Sequence, residues 1–480
     1  MQRPNILLLC ADMIGARHLG CYGDPAQLTP SIDRLAESGV RFNQAYCACP
    51  PCIPARVSMM CGQYAHTHGK TAHVKMALAP RPPLIPEILS AHGYRTGFVG
   101  KTHWWPPSDT LGCEEAYLTI DNHLTPELGE GDAYIRFLRE REIYDYHAST
   151  WAADRHRLNP DNLPPECLKV NWTGDTACSL LDRFSDSGCP FFLACSFVEP
   201  HGAGSVQKSF LETFREIPLR PIIAREGEHE NKPDTQRQAV VRWERRYANV
   251  DKDAVRRGVY ASLNLVDRNI GKILDALERS GQKENTVVIF LTDHGDLLFD
   301  HGCIEKTFLY ESAIRIPFVI SGPEIPRGET RDPLVSQIDL MPTILDLCGI
   351  EQKDPTVEGR SLFPVIQAPQ APWRERLFCE VEQTVHLRDL VCCSAAKMVR
   401  SGPWKYIYTL VDGHRVEAEL YHLENDPDEL FNLAQDAGQQ ARVAQLRYEI
   451  LRWLVATEPN RLHPVPENHY PVPHADRRSF

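Results

Sequence analysis

The stretch CACPPCIPAR, residues 47–56, packs three cysteines and three prolines into ten positions and ends on an arginine. Cys49 and Cys52 have the CxxC spacing of a zinc half-site or a dithiol redox pair. A structural zinc site needs two more ligands, yet no second CxxC occurs, and Cys392 and Cys393 are adjacent and poorly placed to chelate together. A redox pair of the thioredoxin kind expects a small βαβ domain, which the layout of this chain does not suggest. A cluster of inert buried thiols is the bland alternative. The informative part lies downstream, where Pro54 and the helix-like run VSMMCGQYA place Cys52 at a helix N-terminus. There, unpaired N–H groups and the helix dipole favour negative charge, which suits a group that attacks or holds an oxyanion.

Other reactive side chains stand at the ends of apolar runs. Asp12 follows the first run, Lys101 and His103 a second, His201 a third, and Asp293 with His294 a fourth. In an open α/β sheet the ligand site lies beyond the carboxyl ends of the strands, so these residues are expected to converge. Asp12, Asp293 and His294 suit a divalent cation, the carboxylates giving hard oxygens and the imidazole one nitrogen. Taken alone, TDHGD reads as a loop with a capping aspartate; the matching position of Asp12 argues otherwise. His66 and His68, 14 and 16 residues beyond Cys52, read equally as functional or as packing groups, and His301 reads as structural. Trp104 and Trp105 line a pocket or belong to the core.

Positioning these residues falls to short strands expected at 5–11, 95–100, 190–198 and 286–292, alternating with helices at 30–38, 84–92, 255–279 and 340–347. That alternation predicts an α/β fold, a large mixed and mostly parallel sheet sandwiched by helices. Residues 104–165, rich in His, Trp and acids, read as a long insertion over one face. APQAPWR, at 368–374, looks like a boundary, giving a catalytic domain at 1–375 and a smaller C-terminal α+β domain at 376–480 with antiparallel strands at 398–410 and 415–423. The Pro- and His-rich tail after Arg461 reads as disordered or as an arm on a neighbouring subunit, with composition favouring disorder. It leaves a homo-oligomer open.

With 480 residues, 42% hydrophobic and 24% charged, the chain can bury a substantial core. Its net charge of -12 argues against a sequence-independent grip on nucleic acid. MQRPNILLLCAD has no small-residue cleavage site after its apolar run and reads as a strand, not a secretion signal. No apolar stretch approaches the roughly 20 residues needed to cross a bilayer. A soluble, cytoplasmic protein whose cysteines are mostly buried thiols is therefore expected.

CIPAR resembles the sulfatase signature C-x-P-x-R, whose cysteine is oxidised after translation to Cα-formylglycine, and GQYAHTHG resembles the segment that follows it. RPNILLLCAD, LGCYG, TPSIDRLAESGVRF, GYRTGFVGKTH, the EPH at 199–201, TDHGD, EKTFLYESAIRIPFVISGP, IDLMPTILDL and LYHLENDPDELFNLA look like further sulfatase segments in the usual order. The resemblance implies an alkaline phosphatase-like fold and hydrolysis of a sulfate ester to sulfate and an alcohol. It implies that oxidised Cys52 joins Asp12, Asp293 and His294 around one divalent ion. Lys101, Lys306 and His201, in GKTH, EKTF and EPH, would face the sulfuryl oxygens, and Arg56 would hold the hydrated aldehyde. His103 would take the proton that triggers sulfate release, and His201 or Lys306 would protonate the leaving oxygen.

One departure stands out. Many sulfatases place a second acid after the first, where this chain has Met13, and His294 stands where an asparagine often follows the later aspartate. That set looks like the branch containing choline sulfatases and phosphonate monoester hydrolases. Calcium is the family default, and the nitrogen ligand leaves manganese open. The implied partners are a small sulfated sugar, aryl or choline-type ester and a formylglycine-generating maturation enzyme, with no nucleic acid and no membrane. Two alternatives remain: a phosphonate monoester hydrolase or phosphodiesterase using the same site, and a silent binding protein with unmodified Cys52.

Overall fold

The computed structural model describes residues 3–72, 81–104, 106, 108–119, 131–144, 163–201, 206–306, 308–387 and 390–458, with backbone alone for 383–387 and 390–393. Trp105, half of the 104–165 segment and the tail expected after Arg461 lie outside the described residues.

The first apolar run forms β1 (Asn5–Ala11), buried at every position. Successive side chains of a strand point to opposite faces. Ile6, Leu8 and Cys10 accordingly enter one hydrophobic layer, and Leu7, Leu9 and Ala11 the other. A strand apolar on both faces belongs inside a sheet covered on both sides. Along the chain follow β2 (Gly39–Phe42), β3 (Ala45–Tyr46), β4 (Arg95–Lys101), β5 (Glu115–Thr119), β6 (Phe191–Ser196), β7 (Thr286–Thr292), β8 (Phe318–Ser321), β9 (Glu329–Arg331) and β10 (Val335–Ser336). The eight-stranded sheet has the order β5-β4-β6-β1-β7-β8-β2-β9, with only β8 reversed; β10 and β3 form a separate parallel pair. Helices Pro30–Glu37, Lys169–Ser185 and Lys252–Arg279 pack into one layer, and Cys52–Cys61, Ile85–Ala91 and Leu340–Leu347 into the other. The expected α/β fold is the observed one.

Beyond it, β11 (Arg376–Leu387), β12 (Leu390–Ser401), β13 (Trp404–Val411) and β14 (Arg415–His422) form an antiparallel meander. Val399, Tyr406 and Leu420 of this sheet pack against Leu446, Ile450 and Trp453 of helix Gln440–Ala456. Two expectations need correcting. The strand at 398–410 is instead the end of β12, a turn at Gly402 (φ 53°) and β13, because a left-handed glycine ends the extended run. The insertion at 104–165 supplies an edge strand, β5, and helix Ala133–Glu140, whose Asp132 side chain accepts from the N–H groups of Tyr134 and Ile135. Among the described residues no helix is long and apolar enough to cross a membrane.

Candidate active site

Parallel pairing sets the floor of the site. Ala11 of β1 lies beside Thr292 of β7, so the next residues, Asp12 and Asp293, emerge side by side. On the other flank Cys10 pairs with Ser196 of β6, which in turn pairs with Gly100 of β4, bringing Lys101 alongside. Gly100 has φ 95°, and a Cβ there would fall 2.0 Å from the Ser196 carbonyl oxygen, so only glycine allows this approach. Gly295 answers the same need after His294, where a Cβ would meet the Ser312 carbonyl oxygen at 2.1 Å.

Cys52 opens helix Cys52–Cys61, and Pro51 before it supplies no side-chain cap. The first-turn N–H groups therefore face the same cavity as the strand ends. Four residues on, fully buried Arg56 uses its fork to join the floor. Nε donates to Asp293 Oδ2 at 2.9 Å, Nη2 to Asp12 Oδ2 at 2.9 Å, and Nη1 to Ser196 Oγ and the Lys101 carbonyl at 2.8 and 2.7 Å. Lys101 Nζ lies 2.6 Å from the same Asp12 Oδ2. Burial opposes the charge on Asp12, but Lys101, His201, Arg56 and His294 outweigh it and hold the carboxyl well below its usual range. Asp293 Oδ1 accepts from the backbone N–H groups of Met13 and His294.

What these contacts leave over decides what the cluster can hold. Asp12 Oδ1 is buried and has no hydrogen-bond partner among the described residues. His294 Nδ1 lies 2.9 Å from the Gly295 carbonyl, which can only accept, so the ring proton sits on Nδ1 and the Nε2 lone pair faces the cavity. Burial lowers the His294 pKa and favours that neutral ring. Nε2 is 3.1 Å from Cys52 Sγ, 3.6 Å from Asp293 Oδ2 and 3.9 Å from Asp12 Oδ1. One donor atom from each of Asp12, Cys52, Asp293 and His294 lies within 4.8 Å of the other three. Hard oxygens, one nitrogen and an unsatisfied buried carboxylate oxygen fit a divalent cation.

Across the cavity, Lys306 Nζ is 3.3 Å from His201 Nε2 and 3.4 Å from Met13 Sδ. Burial works against its charge, yet Cys52, Glu305, Asp12 and Asp293 raise its pKa above that of a free lysine. His103 is buried just beyond β4. Left-handed backbone recurs here at non-glycine residues, with φ of 61° at Met13, 56° at His103 and 67° at Glu305, each cramped conformation adjoining or bearing a candidate site group. His66 and His68 turn away: His66 Nδ1 meets Glu380 at 2.8 Å and His68 Nε2 meets Ser58 at 2.9 Å. His301 meets Glu228 and stacks on Tyr310, as a structural residue should. The structure also brings in Ser196 and Gln337, neither anticipated; Gln337 Nε2 donates to the carbonyls of Thr292 and Asp293 at 3.2 and 3.1 Å.

The Sulfatase family model matches residues 4–350. The chain belongs to the sulfatase family. A second model, described as N-sulphoglucosamine sulphohydrolase, C-terminal, matches residues 299–455 of this sulfatase. Over 484 residues it is 28% identical to the arylsulfatase of Clostridium perfringens (strain 13 / Type A), covering 95% of each chain. Over 451 residues it is 29% identical to the choline-sulfatase of Rhizobium meliloti (strain 1021), covering 90% of this chain and 83% of that one. The phosphonate monoester hydrolase of Silicibacter pomeroyi shares the fold, with a TM-score of 0.79 at 22% identity, covering 97% of this chain and 98% of that one. The protein is a sulfuric ester hydrolase, as the resemblance in the sequence implies.

Proposed function

We propose that the protein cleaves a sulfate ester of a small alcohol using formylglycine derived from Cys52 and a divalent ion held by Asp12, residue 52, Asp293 and His294. The observation supporting this reading is the convergence of those four donor atoms around the unsatisfied Asp12 Oδ1. The ion and the hydrated aldehyde would together supply an acidified hydroxyl for attack on sulfur and a second hydroxyl for release of sulfate.

The chain's own residues do the rest. Lys101 and Lys306 bring fixed positive charge to the sulfuryl oxygens, with His201 beside Lys306. Arg56 clamps the two metal-side carboxylates as well as bordering residue 52, so its main work is to aim Asp12 and Asp293. His103 accepts a proton from residue 52, and the Lys306–His201 pair delivers one to the leaving alcohol oxygen. Residues 1–375 act as the catalytic unit and 376–480 as a C-terminal subdomain. Calcium and manganese are the two candidate ions.

Peptide mass at residue 52 of protein from its native host tests the nucleophile; an unmodified thiol there defeats it and favours a silent binding protein. With oxidised protein, hydrolysis of 4-nitrophenyl sulfate is expected to exceed that of an aryl phosphonate, to disappear on chelation and to return with calcium or manganese. Faster phosphonate cleavage would move the assignment to a phosphonate monoester hydrolase.

A further inference from the structure

Two cations already answer the two carboxylates of the candidate metal set. Arg56 bonds both at 2.9 Å, and Lys101 Nζ stands 2.6 Å from Asp12 Oδ2. With a neutral His294, the charges of Asp12, Asp293, Arg56 and Lys101 cancel, and Lys306 across the cavity adds a further positive one. A divalent cation gains little long-range attraction from such a set and is opposed by Lys306.

Two further buried acids stand two residues from site histidines, Asp296 after His294 and Glu199 before His201. Asp296 is engaged, its Oδ1 accepting from the Leu298 and Glu305 N–H groups at 3.0 and 2.7 Å. Glu199 has no exposure, and neither of its carboxylate oxygens has a hydrogen-bond partner among the described residues. Its backbone is nevertheless fixed to the floor of the site. The Glu199 carbonyl accepts from the Asp12 N–H at 3.1 Å, and the His201 N–H closes the turn onto the Val198 carbonyl, also at 3.1 Å. A buried carboxyl without donors is costly, so its retention beside the metal ligands calls for a role.

Helix Lys169–Ser185 supplies a counter-charge for Glu199. A Cβ on Gly97 would fall 2.6 Å from the Leu180 side chain and one on Gly100 3.2 Å from that of Thr173, so the helix runs against β4 and its first turn overhangs the strand ends. Lys169, one turn before Thr173, thus reaches the rim where Glu199 lies, three residues past β6. Its side chain is buried, with Nζ 4.9 Å from the Tyr134 ring centroid. Burial works against the charge on Glu199, while Lys169 and, less strongly, Lys101 favour it.

We propose that Glu199 is a positioning residue for the metal: its carboxylate offsets the lysines and the arginine around the floor and so raises the affinity of Asp12, Asp293 and His294 for a divalent ion. The proposal rests on the metal-dependent sulfatase reading.

Titration of chelator-treated, oxidised protein with calcium and with the trivalent probe terbium tests it, at about pH 8 so that carboxylates are ionised. Glu199→Gln is isosteric at a group that makes no hydrogen bond, so folding is not at risk. It should raise the calcium dissociation constant about tenfold, the lower end of what losing a group behind the ligands costs. A charge acting through space scales with the charge of the ion, so the terbium constant should rise more, by about thirtyfold. Glu199→Asp keeps the charge and should hold both constants within about threefold of the unaltered protein. Unchanged binding in Glu199→Gln, an equal fold-loss for the two ions, or a loss in Glu199→Asp as large as in Glu199→Gln would overturn the proposal. Failure of the unaltered protein to bind either ion would overturn the metal-dependent reading instead.

Discussion

Two buried clusters of charge lie within the same chain, and they are closed to different degrees. At the sheet rim, Arg56 and Lys101 neutralise Asp12 and Asp293, yet Asp12 Oδ1 and His294 Nε2 remain turned into the cavity. At the junction with the C-terminal sheet, Lys405 Nζ spans Glu311 and Glu429 at 3.1 and 2.7 Å, while the Glu311 N–H donates to Glu429 and Tyr46 caps Glu311 at 3.0 Å. Both obey the rule that a buried charge must be matched. The first keeps donor atoms in reserve for a ligand, whereas the second spends its charges on joining two layers. Burial and perturbed titration alone would not tell them apart; the direction of the leftover lone pairs does.

The largest expected difference comes from removing each cluster's cation. Arg56→Leu leaves two carboxylates without their shared partner, so stability should fall by about 3–5 kcal/mol and turnover should vanish. Chemical denaturation together with aryl sulfate assays checks this; a stable, active variant would show that Arg56 is dispensable to the floor. Lys405→Met should cost a similar order, about 3 kcal/mol, while leaving kcat within about tenfold in the molecules that remain folded. If kcat instead collapsed in step with Arg56→Leu, the two clusters would be one functional unit.

A smaller contrast flanks the segment Tyr64–His68. Glu380, opposed by burial but bonded to His66 and near Lys397, is held at about 2. Glu358 accepts from the Tyr64 N–H and the Thr67 hydroxyl, and burial pushes its carboxyl up to about 7. Against model values of 4.5, Glu380 contributes stability that is complete above about pH 4.5 and is lost as pH falls toward about 2. Glu358 has the opposite sign: its contribution is complete below about pH 4.5 and fades as pH rises through about 7. Glu380→Gln should therefore flatten the acid limb of a stability-against-pH curve. Glu358→Gln should flatten the limb between about pH 5 and 7 by roughly 1–3 kcal/mol. Identical curves for the two variants would refute the assignment.

The sequence made the site more legible than its supports. Asp12, Asp293 and His294 stand directly after long apolar runs, and a parallel sheet carries such positions to one edge whatever its exact order. Ser196 ends one of those runs and could have been read the same way. Gln337 could not, because it reaches the β7 end from a short 3-10 turn at Gln337–Asp339, just after the two-residue strand β10, with no periodic signal. β5 escaped notice because it is an edge strand with three of its five residues only partly buried, so its pattern is neither continuous nor alternating. The Gly402 turn was masked by apolar residues on both sides, although Ser-Gly-Pro at 401–403 is a turn signal.

The burial of Cys52 also sets a timetable for biosynthesis. Its side chain has no exposure once folded, and its neighbour His294 is 242 residues further along the chain. At a ribosomal pace of about 5–20 residues per second, the thiol stays accessible for roughly 10–50 seconds before that neighbour even exists. Should an enzyme oxidise this thiol, it would have to act on the nascent or unfolded chain.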